Sequence, residues 1–213
     1  MTPFAKRYLC VALGLAAAGL GLSAGGCTAA GFVANAVVPP ITKAQYVPPK
    51  TQRMLVLVEN RENPGMSVAE ADCITSYILD DLAAYEVCPL LDAKKLHALR
   101  DAQGEKINKL SISQIGKALG ARQVLYVDIQ RINVGSVQGV PQHGRMDATV
   151  RIVDVERSAT VWPTTGDSAP ISVETPLTQD IDGRLAAAIR EALLRSAALS
   201  VSRLYHDTNR DQI

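Results

Sequence analysis

Few residues in this 213-residue chain have the type and spacing that chemistry requires. Gly21-Leu22-Ser23-Ala24-Gly25 has the G-x-S-x-G spacing of a serine-hydrolase elbow. That device needs a strand–turn–helix setting, with an acid and a histidine following. Here the pattern lies among small and apolar residues near the N-terminus, so it reads as coincidence. His97, His143 and His206 lack metal-ligand spacing and read as scattered surface residues. Asp80 and Asp81 are neighbours on an expected helix, where adjacent side chains diverge, so they read as a solvated face. The glycines of 135–144 do not stand between a strand and a helix, as a phosphate loop requires. Export would allow Cys73 and Cys88 to pair. However, Cys73 falls on the polar side of its helix and Cys88 on a strand expected to be buried, so they are expected to stay apart. Trp162 suits a packing anchor better than a ligand platform. No catalytic residue, metal site or cofactor is expected, and the chain does not read as an enzyme.

What remains is a polar surface on strands. In 145–155, Met146, Ala148, Val150 and Ile152 share one parity, and Asp147, Thr149 and Arg151 share the other. Val153 and Val155 then make the second face apolar as well, so that end of the strand is covered on both sides. In 122–134, Leu125, Val127 and Ile129 oppose Asp128 and Gln130. The pattern changes phase at Ile132 and Val134, which predicts a bulge or strand end near Arg131. Glu156-Arg157-Ser158 is short enough to turn directly into a third strand ending at Trp162. The candidate surface is therefore Asp128, Gln130, Asp147, Thr149 and Arg151, with the sheet edge near Trp162.

The elements that must hold this meander are legible from punctuation and periodicity. Met54–Val58 is a continuous apolar run, as in a strand buried on both faces. Ser67-Val68-Ala69-Glu70 is a capping box. It opens a helix in which Ala71, Ile74, Ile78, Leu82 and Tyr85 recur at helical spacing. A second strand is expected over 86–91. Asp92 caps a helix through Ala102 with Leu96 and Leu99 inward, and Gly104 ends it. Ser111-Ile112-Ser113-Gln114 is another capping box, and Gly120 closes that helix. Beyond the meander, 171–173 is a strand stub. A long helix then starts at Pro176 or Thr178 and runs to about Tyr205, with Ile181, Leu185, Ile189, Leu193 and Leu204 in its stripe. The expected fold is α/β, ordered β-α-β-α-α-β-β-β-α, with a five-stranded mixed sheet in the order 2-1-3-4-5. Right-handed crossovers place the first and last helices on one face and the middle pair on the other.

The N-terminal 26 residues read as an export signal, with Lys6 and Arg7 ahead of an apolar stretch too short for a comfortable span. Setting aside Lys6 and Arg7 leaves 20 basic residues against 21 acidic ones. Such a balance argues against a nucleic-acid binder, which usually shows a basic face. Residues 27–52 read as a tether, because Pro39-Pro40 and Pro48-Pro49 favour extended chain. The folded domain is then 53–207, with 208–213 a tail.

Two resemblances follow from these residues. Ser23-Ala24-Gly25-Gly26-Cys27 resembles the lipobox of bacterial lipoproteins, whose cysteine is acylated and becomes the N-terminus. An ordinary signal peptide with an incidental Cys27 is the other reading. Lipidation would anchor the chain firmly, since each buried CH₂ contributes about 0.8 kcal/mol. By resemblance to lipoprotein sorting, Thr28 after the cysteine favours the outer membrane. Separately, Met54–Asn60, Gly120–Val127, Ala148–Glu156 and Thr160-Val161-Trp162 resemble the envelope superfamily of the TolB N-terminal domain, the curli-secretion lipoprotein and the activator of penicillin-binding proteins. That resemblance implies a mixed-sheet domain that binds envelope proteins without catalysis, and it assigns no site residue. The expected partners are the membrane, through the anchor, and an envelope protein or a second copy of the chain. A small-ligand or glycan-binding lipoprotein is the alternative, and the few aromatic residues disfavour it.

Overall fold

The computed structural model describes residues 41–60, 65–134, 141–175, 178–179 and 185–209. Its strands are β1 (Ile41–Thr42), β2 (Met54–Glu59), β3 (Gln123–Val134), β4 (Pro141–Gln142), β5 (Gly144–Asp154), β6 (Ala159–Trp162), β7 (Ala169–Glu174), β8 (Thr178–Gln179) and β9 (Thr208–Asn209). Its helices are α1 (Val68–Ala84), α2 (Ala93–Gln103), α3 (Ile112–Leu119) and α4 (Leu185–Ser202), and a 3₁₀ segment, Gly104–Lys109, links α2 to α3. The chain divides into two units. The larger is Lys43–Asp207, and in the other β1 pairs antiparallel with β9.

The main sheet of the larger unit has five strands. β2 runs parallel to β3 with Val56 opposite Leu125, and β3 runs antiparallel to β5 with Val127 opposite Val150. β6 and β7 both pair with β5 and share its far side: β6 takes the Ile152–Asp154 end and β7 the Arg145–Val150 stretch. The expected order therefore holds, with three differences. Thr178–Gln179 forms the short strand β8, where the sequence predicts the start of the last helix. Residues 86–91 form only a single parallel bridge, Met54 to Leu90, instead of a strand. Pro89 has no N–H to donate, and Glu86 turns the chain at a positive φ of 48°, so no ladder can extend. The expected stub at 171–173 is a six-residue strand.

Alternation builds two cores, one on each face. Met54, Val56 and Val58 of β2, Leu125, Val127 and Ile129 of β3, and Met146, Ala148, Val150 and Ile152 of β5 pack under α1 and α4. Leu55 and Leu57, Val124 and Tyr126, and Val153 and Val155 pack under α2 and α3. The capping boxes at Ser67 and Ser111 are both complete. Gly120 takes the left-handed conformation at φ 74°, and the Ala121 N–H returns to the Gly116 carbonyl at 2.9 Å, closing α3. The bulge expected near Arg131 is present: Ile129 faces Ala148 and Arg131 faces Asp147, so Gln130 is the extra residue.

Part of the stretch read as tether belongs to the folded unit. The Gln45 and Tyr46 N–H groups donate to the Leu204 carbonyl at 2.8 and 3.1 Å. The Ala44 N–H and the Lys43 ammonium both reach the Asp207 carboxylate. Gln123 Nε2 donates to the Tyr46 hydroxyl at 2.8 Å, and Pro48 is buried. The tyrosine supplies an apolar ring and a polar tip, which gives the Pro-rich segment something to bury.

Candidate functional site

Four of the expected surface residues converge. Asp128, Gln130, Thr149 and Arg151 line one cleft of about 280 Å³ together with Tyr126 and Ser168. The register explains the clustering, because Tyr126 is opposite Arg151 and Asp128 opposite Thr149 across the β3–β5 ladder. Tyr126 donates its hydroxyl to Glu59 Oε2 at 3.0 Å, which fixes the ring. The Arg151 guanidinium carbon lies 5.0 Å from the ring centroid, within cation–π range. Arg151 is half-buried, and its Nε has no hydrogen-bond partner among the described residues.

Asp147 lies one step further along β5, in a separate network. Arg145 Nε donates to both carboxylate oxygens, at 3.1 and 3.2 Å, and Ser172 donates to Oδ1 at 2.8 Å. Arg145 also pairs with Glu174 at 2.8 Å. The Arg145 hydrogen bonds, then that of Ser172, hold the Asp147 carboxyl below the usual carboxylate range. Asp147 is therefore bound within the surface and is less available to a partner than its parity suggested.

The side chain of Trp162 is the packing anchor expected of it, which leaves only the strand edge near it as candidate surface. That side chain is 6% exposed and its indole meets Tyr205 edge-on at 5.7 Å, inside the core under α4. Burying an indole is the stronger demand at that position, so the side chain acts as the packing anchor and only backbone remains at the edge.

Two further readings need correction. His206 is not a surface histidine: it is 8% exposed, its Nε2 lies 2.8 Å from Asp81 Oδ2, and its ring stacks on Tyr85 at 3.7 Å. Asp81 is therefore a partner of a buried group and not a solvated carboxylate, whereas Asp80 is exposed. Cys73 is exposed and Cys88 buried, both as free thiols, and burial pushes the Cys88 thiol up to about 11. Among the described residues no three His, Cys, Asp or Glu side chains converge as a metal site would need. No helix among them is long and apolar enough to cross a membrane. Cys27, Thr28 and the whole export signal lie outside the described residues, as does Ile181 of the expected helical stripe.

Sequence reasoning missed Tyr126, Ser168, Arg145 and Ser172. Tyr126 and Arg145 share the parity of the polar face and were findable by that signal. Ser168 arrives from a loop and Ser172 depends on β7 pairing with β5, so local pattern alone gave no access to them.

No family profile matches the sequence, and no curated protein matches it. Solved bacterial lipoproteins are among the structures it is similar to. Lipoprotein GNA1162 from Neisseria meningitidis superposes with a TM-score of 0.48 at 16% identity, covering 70% of this chain and 99% of that one. Protein XCC0632 from Xanthomonas campestris gives 0.46 at 10% identity, over 78% and 90% of the two chains. TolB from Acinetobacter baumannii gives 0.35 at 13% identity, over 78% of this chain and 29% of that one. That likeness is too low to place the chain in the TolB superfamily, which stays an expectation from sequence.

Proposed function

We propose that this chain is a lipid-anchored domain of the bacterial envelope, held by Cys27 in the outer membrane. It acts without catalysis, by binding an envelope protein or a second copy of itself through the polar half of its sheet. The observation that carries this reading is the cleft around Arg151, where a half-buried guanidinium is propped on Tyr126 between Asp128, Gln130 and Thr149. At about 280 Å³ the cleft is below the usual range for small-ligand pockets, roughly 300–1,000 Å³, and suits one side chain of a protein partner. Its single aromatic ring is already covered by Arg151, which removes the stacking platform a glycan would use. Charges so placed select partners and steer encounter more than they add affinity.

Photo-crosslinking in cells from position Gln130 tests the reading. Arg151→Glu is expected to abolish the principal crosslink with little change in melting temperature, and Asp80→Lys on α1 to leave it intact. If Asp80→Lys removes the crosslink and Arg151→Glu keeps it, the partner binds the helical side and the proposal fails. Cys27→Ala is expected to abolish incorporation of a clickable fatty acid. Equal labelling of both chains would end the anchor reading.

A further inference from the structure

We propose that a second cavity, at the end of the sheet where β2 and β3 begin and β5 ends, binds a phosphate group carried on a polyol. The cavity has a volume of about 850 Å³, which is large enough for a phosphorylated sugar or a glycerophosphate headgroup. Parallel strands start at the same end of a sheet and an antiparallel neighbour finishes there, so three chain segments meet at this rim, and α3 adds its polar flank. The rim is tied together by backbone. The Arg122 N–H donates to the Arg53 carbonyl at 2.8 Å, the Gln123 N–H to the same carbonyl at 3.2 Å, and the Val155 N–H to the Arg122 carbonyl at 3.0 Å. The two arginines are thus positioned by the sheet itself and not by a floppy loop.

Charge decides the class of ligand. Arg53, Lys117 and Arg122 line the cavity, and Glu156 is its one acid. Glu156 pairs with Arg122. Arg53 and Lys117 have no carboxylate partner among the described residues, so the cavity presents two uncompensated cations in a chain that is otherwise close to neutral. A phosphate anion suits that pair: a guanidinium fork binds two unesterified oxygens and the ammonium adds a further donor and charge. The hydroxyls of Ser113 and Ser158 and the amide of Gln52, also in the lining, suit the hydroxyls of a polyol. No aromatic side chain lines the cavity, which disfavours a stacked base.

The test uses the full chain in phosphatidylcholine nanodiscs, titrated calorimetrically with inorganic pyrophosphate, glycerol-1-phosphate and water-soluble dihexanoyl phosphatidylglycerol. Pyrophosphate is expected to bind, more weakly as salt rises. Lys117→Ala and Arg53→Gln are each expected to weaken it at least fivefold and together to abolish it, whereas Lys94→Gln on α2 changes nothing. Both side chains are exposed, so melting temperatures should hold and a misfolded variant would be recognised. Tighter binding of the short-chain lipid than of glycerol-1-phosphate assigns a lipid headgroup, and equal binding assigns a soluble phosphate. Absence of any binding heat, or equal affinity in wild type and double variant, overturns the proposal.

Discussion

Glu70 ties the start of α1 to α4, and its charge can be isolated from its capping role. Its carboxylate accepts the Ser67 N–H at 2.8 Å within the capping box, and also takes a two-pronged contact from Arg190, whose Nη2 lies 3.0 Å from Oε2 and 2.6 Å from the Gly65 carbonyl. The Arg190 hydrogen bond, ahead of the Ser67 bonds, lowers the Glu70 carboxyl from the ordinary 4.5 to about 2. A folded-state value below the unfolded one contributes stability above pH 4.5, and that stability is lost as pH falls towards 2. The displacement corresponds to at most about 3 kcal/mol, and partial exposure to water reduces it to about 1–2 kcal/mol. Glu70→Gln keeps an N3 residue that can complete a capping box, so it removes mainly the charge. At pH 7 the variant should melt roughly 2–8 °C lower, from about 2–4 °C per kcal/mol for a domain of this size. Thermal melts of both chains at pH 7 and pH 3 decide the matter, because less than about half of the gap should survive at pH 3. A gap of the same size at both pH values, or none at pH 7, would refute the reasoning.

Three further outcomes are expected. Val150 is fully buried under α1 and α4, so Val150→Asp should cost about 3–5 kcal/mol in urea denaturation. Thr149→Asp, on the other face and opposite Asp128, should cost at most about 1 kcal/mol; similar losses would invert the face assignment. A Cβ on Gly144 would lie 2.5 Å from Leu193 Cδ1 and 2.6 Å from Ile189 Cγ2, so Gly144→Ala should cost about 1–3 kcal/mol. A neutral Gly144→Ala would mean that α4 sits further from β5. Asp81→Asn should cost about 1–3 kcal/mol through His206 and Asp80→Asn within about 0.5 kcal/mol; equal effects would show that the His206 contact contributes nothing.

Much of this architecture was legible because period and punctuation agree. Capping boxes at Ser67 and Ser111 and the closing Gly120 fixed helix ends that the structure reproduces. The phase change at Ile132 located the Gln130 bulge to within a residue. What escaped reading depended on partners distant in sequence. The burial of His206 requires Asp81 and Tyr85, more than a hundred residues earlier. Docking of residues 43–48 requires Leu204, Asp207 and Gln123. The 850 Å³ cavity draws on four separate segments, none of which carries a ligand-binding motif. Parity could group Asp147 with Thr149 and Arg151, but not reveal that Arg145 and Ser172 already occupy it.

The position of the polar cleft follows from helix lengths. β3 has 12 residues and spans roughly 40 Å at about 3.3 Å per residue. On one face, α1 and α4, of 17 and 18 residues, each extend about 26 Å at 1.5 Å per residue. On the other, α3 has eight residues and reaches only about 12 Å, and α2 with 11 reaches about 17 Å. That cover stops where the second core stops, at Tyr126 on β3 and Val153 on β5. The next side chains on that face are Asp128 and Arg151, where the sequence changes from apolar to charged. The pattern of the strands and the lengths of the helices thus agree on the same boundary, and the cleft lies on its wet side. Extending α3 across it would bury Asp128 and Arg151 at a cost that no apolar gain at those positions offsets. The short cover and the polar face therefore require each other, and the proposed interaction surface rests on that boundary.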